Sequence, residues 1–203
     1  MSSFVPLVLS DILPTPARRR YVALRSAALV VGAALLTAIA AQITIHLPFT
    51  PVPLTGQTFA VLLSGTVLGS RRGMASQALY WAMGAVGLPF YSAGQHGWHS
   101  ATGSTFGYFV GFVLAAGITG WFASRRADRN IVTSLSSMAL GTAIIYICGA
   151  AWLSYHLQIP LAGGDSNALS LGVTPFLAGD MVKMAVAATI SPVAWQVFGG
   201  RGR

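Results

Sequence analysis

Long apolar runs separated by short basic clusters constrain this chain more than any motif in it. A bilayer core about 30 Å thick needs about 20 apolar residues as a helix, with roughly 17 to 25 tolerated. The 203 residues offer six such runs, at 21–45, 55–70, 73–91, 105–123, 131–155 and 174–198. Only 8% of the residues are charged and 54% are hydrophobic, where a soluble domain carries about a quarter charged. The expectation is an all-α integral membrane protein, one domain over 1–203, with six transmembrane helices in a compact bundle.

The basic residues orient that bundle. A cytoplasmic N-terminus, with residues 1–20 as a cytoplasmic segment, places Arg18, Arg19, Arg20, Arg25, Arg71, Arg72, Arg125, Arg126, Arg129, Arg201 and Arg203 on the inner face. Every Lys and Arg except Lys183 is then inside, as the positive-inside rule requires, and both termini are cytoplasmic. The net charge of +8 is therefore an orientation signal. With no basic stripe interleaved with aromatics, nucleic-acid binding is excluded. Residues 4–9 are too short for the apolar core of a cleavable signal, so the first span is expected to serve as its own targeting signal. The second run is short and follows Pro48, Pro51 and Pro53. Short, Pro-interrupted spans point to binding regions in transporters.

Gly65, Gly69 and Gly73, and Gly103, Gly107 and Gly111, recur at intervals of four, the spacing that lets helices approach closely in lipid. On the first span Ala34 and Ala38, with Ala33, Thr37 and Ala41 beside them, make a comparable face. That face is expected to dock against another membrane protein.

Asp180 and Lys183 are the charged residues inside the apolar runs proper, three apart in the sixth. An intramembrane charge costs roughly 2.5 to 3.5 kcal/mol on insertion scales and usually has a task. With Thr174 as N-cap and Pro175 at the first helical position, Asp180 falls within two turns of the outer surface and Lys183 one turn deeper. Two readings stand: an i, i+3 pair that neutralises itself, or a clamp in which Asp180 accepts from N–H donors and Lys183 donates to a carbonyl or carboxylate. His46, His96, His99 and His156 fall on the outer side, where His96 and His99 lack the carboxylates or thiols of a metal centre. Tyr91, Trp98, Phe106 and Tyr108 supply aromatic surface at the same mouth for a ligand with an apolar body. Cys148, the one cysteine, can form no intrachain disulfide. The sequence lacks a G-x-x-x-x-G-K-[ST] phosphate loop, a G-x-S-x-G elbow and an H-E-x-x-H pair. No catalytic residue, metal or cofactor is expected.

The order Ala41–Pro48, Pro51–Gly65, Leu68–Gly73, Gly84–Pro89, Gly103–Phe112 and Pro175–Lys183 resembles the BioY family over nearly the whole chain after residue 25. The resemblance implies the biotin-specific substrate-binding (S) component of an energy-coupling factor (ECF) transporter, a multi-pass protein of a prokaryotic cell membrane. It implies capture of biotin from outside, with an ECF transmembrane coupling subunit and two cytoplasmic ATPases as partners. It also implies that Asp180 and Lys183 recognise the ureido head, that Gln57, Tyr91, His96, Trp98, Thr105, Gly107 and Tyr108 complete the substrate site, and that Ala34 and Ala38 form the docking face. The family's Gly-Pro-Thr-Gly-Gly-Tyr stands here as Gly103-Ser104-Thr105-Phe106-Gly107-Tyr108. The basic outer residue that some members use for the valerate carboxylate has no Lys or Arg counterpart, which leaves His96, His99 or backbone amides for that part. The competing expectations are an autonomous ion-driven or facilitative transporter of biotin or another small organic solute and, with less support, an intramembrane enzyme.

Overall fold

The computed structural model describes residues 8–12, 19–164 and 166–198. Arg18, Arg201, Arg203 and most of the expected 1–20 segment lie outside them. Helix α1 (Arg19–Gln42) gives way to two short strands, β1 (Thr44–Ile45) and β2 (Leu54–Thr55). The strands pair antiparallel, Thr44 with Thr55 and Ile45 with Leu54. This small ladder departs from the all-α expectation and ends the first helix three residues before the expected 45. The β-branched run Ile43-Thr44-Ile45 is poorly suited to a helix. Gly56 N–H meanwhile donates to Ala40 O at 3.1 Å and Ile43 O at 3.0 Å, satisfying carbonyls that the helix end leaves open.

Helices α2 (Gln57–Leu68) and α3 (Ser70–Ala85) break at Gly69, whose φ of 80° suits glycine. The series Gly65, Gly69, Gly73 therefore does not line one helix face. Gly65 and Gly73 instead face one another across the break, and a Cβ on Gly73 would lie 2.9 Å from Gly65 Cα. Helix α3 ends at Ala85, not 91, because Gly87 turns at φ 112° and Pro89 follows.

Helix α4 (Gly97–Ala101) precedes α5 (Phe106–Ser124), and a 3-10 turn at Ala127–Arg129 leads into α6 (Ile131–Leu157). Asn130 caps α6 by accepting from Val132 N–H at 2.8 Å. Helix α7 (Ala168–Gly172) starts with a capping box of Asn167 and Ser170. Thr174–Phe176 form a 3-10 turn and α8 (Leu177–Phe198) follows. Thr174 is thus not an N-cap, and Asp180 lies in the first turn of α8.

Helix α5 occupies the centre, packed on α6, α3 and α2, with α1 outside α2 and α3 and α8 outside α2 and α6. Gly107 and Gly111 of α5 let the α6 backbone come close at Cys148 and Ile145. Large apolar side chains such as Ile39, Ile147, Val182 and Val193 are exposed on the outer helices, the surface that hydrocarbon rather than water would cover. Four segments among the described residues are long and apolar enough to cross a membrane: Arg20–Gln42, Phe106–Ser124, Ile131–Leu157 and Ala168–Phe198. Helix α2 is apolar but shorter.

The alanine face of α1 differs from expectation. Ala34 and Ala38 are buried, on the side of α1 where Thr37 donates to Gln77 Oε1 of α3 at 3.2 Å. Small side chains here serve the α1–α3 seam inside the chain and are not presented to a partner. The exposed small residues of α1 are Ala23, Ala27, Ala28 and Gly32.

Candidate ligand-binding site

Three helices meet at one carboxylate. Asp180 of α8 is 4% exposed, and an unpaired charge so deep would be strongly unfavourable. Its Oδ1 accepts from Lys183 Nζ at 2.7 Å and from Thr58 Oγ1 of α2 at 2.9 Å, while Oδ2 accepts from the Tyr146 hydroxyl of α6 at 2.7 Å. Lys183 also donates to the Thr55 carbonyl, at the end of β2. The i, i+3 ion pair is therefore real, but it is embedded in a network from four elements rather than closed on itself. A carboxylate offers about four acceptor positions, so three protein donors leave it able to take one more.

This network borders a cavity of about 520 Å³, within the range of pockets for small organic molecules. Its apolar wall comes from Phe109, Phe112, Tyr108, Tyr91, Val52 and Phe176. The aromatic rings hold one another, with Tyr91 and Phe109 4.8 Å apart and Phe109 and Phe112 edge to face at 6.0 Å. The hydroxyls are committed: Tyr108 donates to Gly172 O at 2.6 Å, Tyr91 to Trp81 O at 2.6 Å, and Tyr80 to Phe90 O at 3.2 Å. Gln57 donates to Tyr80 at 2.7 Å and accepts from Thr55 Oγ1 at 2.8 Å, which fixes its amide between the wall and β2. Such locked side chains make a preformed pocket.

Of the residues expected to bind substrate, Asp180, Lys183, Tyr108, Thr105, Gln57 and Tyr91 line this cavity. Gly107, His96 and Trp98 do not. Gly107 faces Cys148 and Trp152, where a side chain would collide with α6. His96 precedes α4, its Nδ1 3.1 Å from Gly94 O. Trp98 is exposed and meets Trp81 edge to face at 6.0 Å. The residues missed were Thr58 and Tyr146, together with His46, His99 and His156 as lining groups. A phenol within the apolar run 131–155 was the available signal for Tyr146, because a buried hydroxyl must find a partner. Among the described residues no group of three or more His, Cys, Asp and Glu is placed to hold a metal ion.

The BioY family model matches residues 15–200. This chain belongs to the BioY family. A protein of Pyrococcus horikoshii named a probable biotin transporter BioY is 36% identical over 156 residues, covering 77% of this chain and 87% of that protein. A biotin transporter BioY of Thermotoga maritima is 35% identical over 147 residues, 72% of this chain and 83% of that one. The crystal structure of an S-component for biotin from an ECF-type ABC transporter shares the fold, with a TM-score of 0.77 at 24% identity over 89% of this chain and 95% of the other. In this BioY-family chain the Asp180 network therefore sits within a fold already seen in a transporter subunit.

Proposed function

We propose that the chain captures biotin from outside the cell as the S component of an ECF transporter in a prokaryotic plasma membrane. Family membership and the relatives' names support biotin, and one observation carries the site: a buried, ion-paired carboxylate with acceptor capacity to spare at an otherwise aromatic cavity. Biotin's ureido head offers two N–H donors and one carbonyl. Asp180 accepts from the N–H groups and Lys183 donates to the carbonyl, charge-assisted bonds about twice as strong as neutral ones. The apolar wall receives the fused rings, with Gln57, Thr105, Tyr91 and Tyr108 shaping it.

In this reading α1, α2, α3, α5, α6 and α8 cross the membrane, the pocket opens outward, and both termini are cytoplasmic. Transport energy comes from a transmembrane coupling subunit and two cytoplasmic ATPases. With Ala34 and Ala38 buried, docking falls to the exposed small residues Ala27, Ala28 and Gly32 of α1. A Cβ added at Gly32 meets nothing within 4 Å, so bulk can be added there without disturbing the fold.

Uptake of labelled biotin by cells expressing the chain with and without ECF coupling subunits tests the reading. Uptake that requires the ATPases and is lost in Gly32→Leu, with biotin binding retained, supports it. Uptake without any coupling ATPase, abolished by a protonophore, supports the ion-driven alternative.

A further inference from the structure

The two regions of the cavity differ in charge chemistry. Lys183, paired with Asp180, is the one Lys or Arg on its lining, whereas the remaining basic side chains there are imidazoles: His46 after β1, His99 of α4 and His156 near the end of α6. Tyr146, which holds Asp180, and His156 are ten residues apart on α6, about 15 Å along the axis at 1.5 Å per residue. The histidines thus stand toward the mouth, away from the ion pair.

Two of them border the same turn. Trp152 donates its indole N–H to Gly103 O at 2.9 Å and stacks on His156 with centroids 6.1 Å apart. His99 O would lie 3.2 Å from a Cβ on Gly103, so α4 brings His99 to that turn from the other side. The other titratable groups lining the cavity are Tyr91, Tyr108, Tyr146, Asp180 and Lys183. The three phenols donate to Trp81 O, Gly172 O and Asp180, and Asp180 and Lys183 offset one another. None of these five leaves a net cation for an anionic ligand group. Imidazole is the side chain whose ordinary charge change falls between about pH 5 and 8.

We infer that His99 and His156, with His46, form a proton-dependent carboxylate subsite at the mouth, so that this chain takes up a proton when it captures an acid. The inference rests on the biotin reading: with the ureido head on Asp180 and Lys183, the valerate chain extends its carboxylate toward the histidines. Protonated imidazoles donate charge-assisted bonds to it. Because the charged form of the protein binds better, affinity rises as pH falls through the imidazole range and is lost as pH rises.

Biotin and the neutral biotinamide, titrated into the purified full chain at about pH 6 and about pH 8, separate the possibilities. The expected result is biotin affinity roughly tenfold higher at the lower pH, with biotinamide unchanged. In H46Q/H99Q/H156Q, biotin loses its pH dependence while biotinamide binds as in the unsubstituted chain. Equal biotin affinity at both pH values, or equal pH dependence for the two compounds, overturns the subsite. The unsubstituted chain alone gives that comparison, so a triple variant that fails to fold does not protect the inference. Failure of the unsubstituted chain to bind either compound contradicts biotin as the ligand instead.

Discussion

Tyr146 and Asp180, on α6 and α8, are joined by a hydrogen bond of 2.7 Å from the phenol to Oδ2. The bond determines where the carboxylate points, since Thr58 and Lys183 both act on Oδ1. Tyr146→Phe therefore frees the carboxylate on one side without changing its charge. Loss of a hydrogen bond to a charged group costs about 1.5 to 3 kcal/mol. Biotin affinity should fall, by less than in Asp180→Asn, and thermal stability in detergent should fall with it. Isothermal titration and a melting curve on the variant check both.

Asp180→Asn and Lys183→Ala separate clamp from self-neutralising pair. Each removes one partner of a buried pair, and each should weaken biotin by roughly tenfold to a hundredfold if both ends touch the ligand. Lys183→Ala should also destabilise the chain, because Asp180 keeps Thr58 and Tyr146 but loses its counter-charge. Lys183→Ala with undiminished affinity would reduce Lys183 to a balancing charge. Binding isotherms on the two variants give the answer.

Much of the architecture was legible because it is local. Apolar length marks α1, α5, α6 and α8 in the sequence, and the pair three residues apart in α8 marks the site. What was not legible is relational. The alanine face around Ala34 has the composition of a docking surface and of an internal seam alike, and only the position of Gln77 on α3 distinguishes them. Gly65, Gly69 and Gly73 have the spacing of a helix face, but Gly69 breaks the helix. Tyr146 reaches Asp180 through tertiary packing, which spacing along the chain does not encode.

The α5 seam gives a stability test. A Cβ on Gly120 would strike the Gly69 and Ser70 backbone, which cannot give way as a flexible side chain would. Gly120→Ala should therefore destabilise the fold by roughly 1 to 3 kcal/mol through overpacking, despite the better helix propensity of alanine. Gly32→Ala, with open space around it, should be neutral or slightly stabilising. Melting temperatures of the two variants should move apart.

Asp128, in the turn between α5 and α6, is buried and accepts from Trp195 Nε1 at 2.6 Å. Burial pushes its carboxyl above the usual carboxylate range, against the opposing pull of Trp195 and Arg129. The folded state thus holds this proton more tightly than the unfolded state, and stability from this group declines as pH rises out of the ordinary carboxylate range. Asp128→Asn keeps an acceptor for Trp195 and should flatten that decline, whereas Trp195→Phe should destabilise the chain most near neutral pH. Thermal melts at several pH values test the sign.

Direct titration of biotin, thiamine and riboflavin into the purified chain in detergent, repeated with Asp180→Asn, tests the central claim. Saturable submicromolar binding of biotin alone, greatly weakened in the variant, is the predicted result. Absence of biotin binding, equal binding of the other vitamins, or full biotin affinity in Asp180→Asn would contradict it.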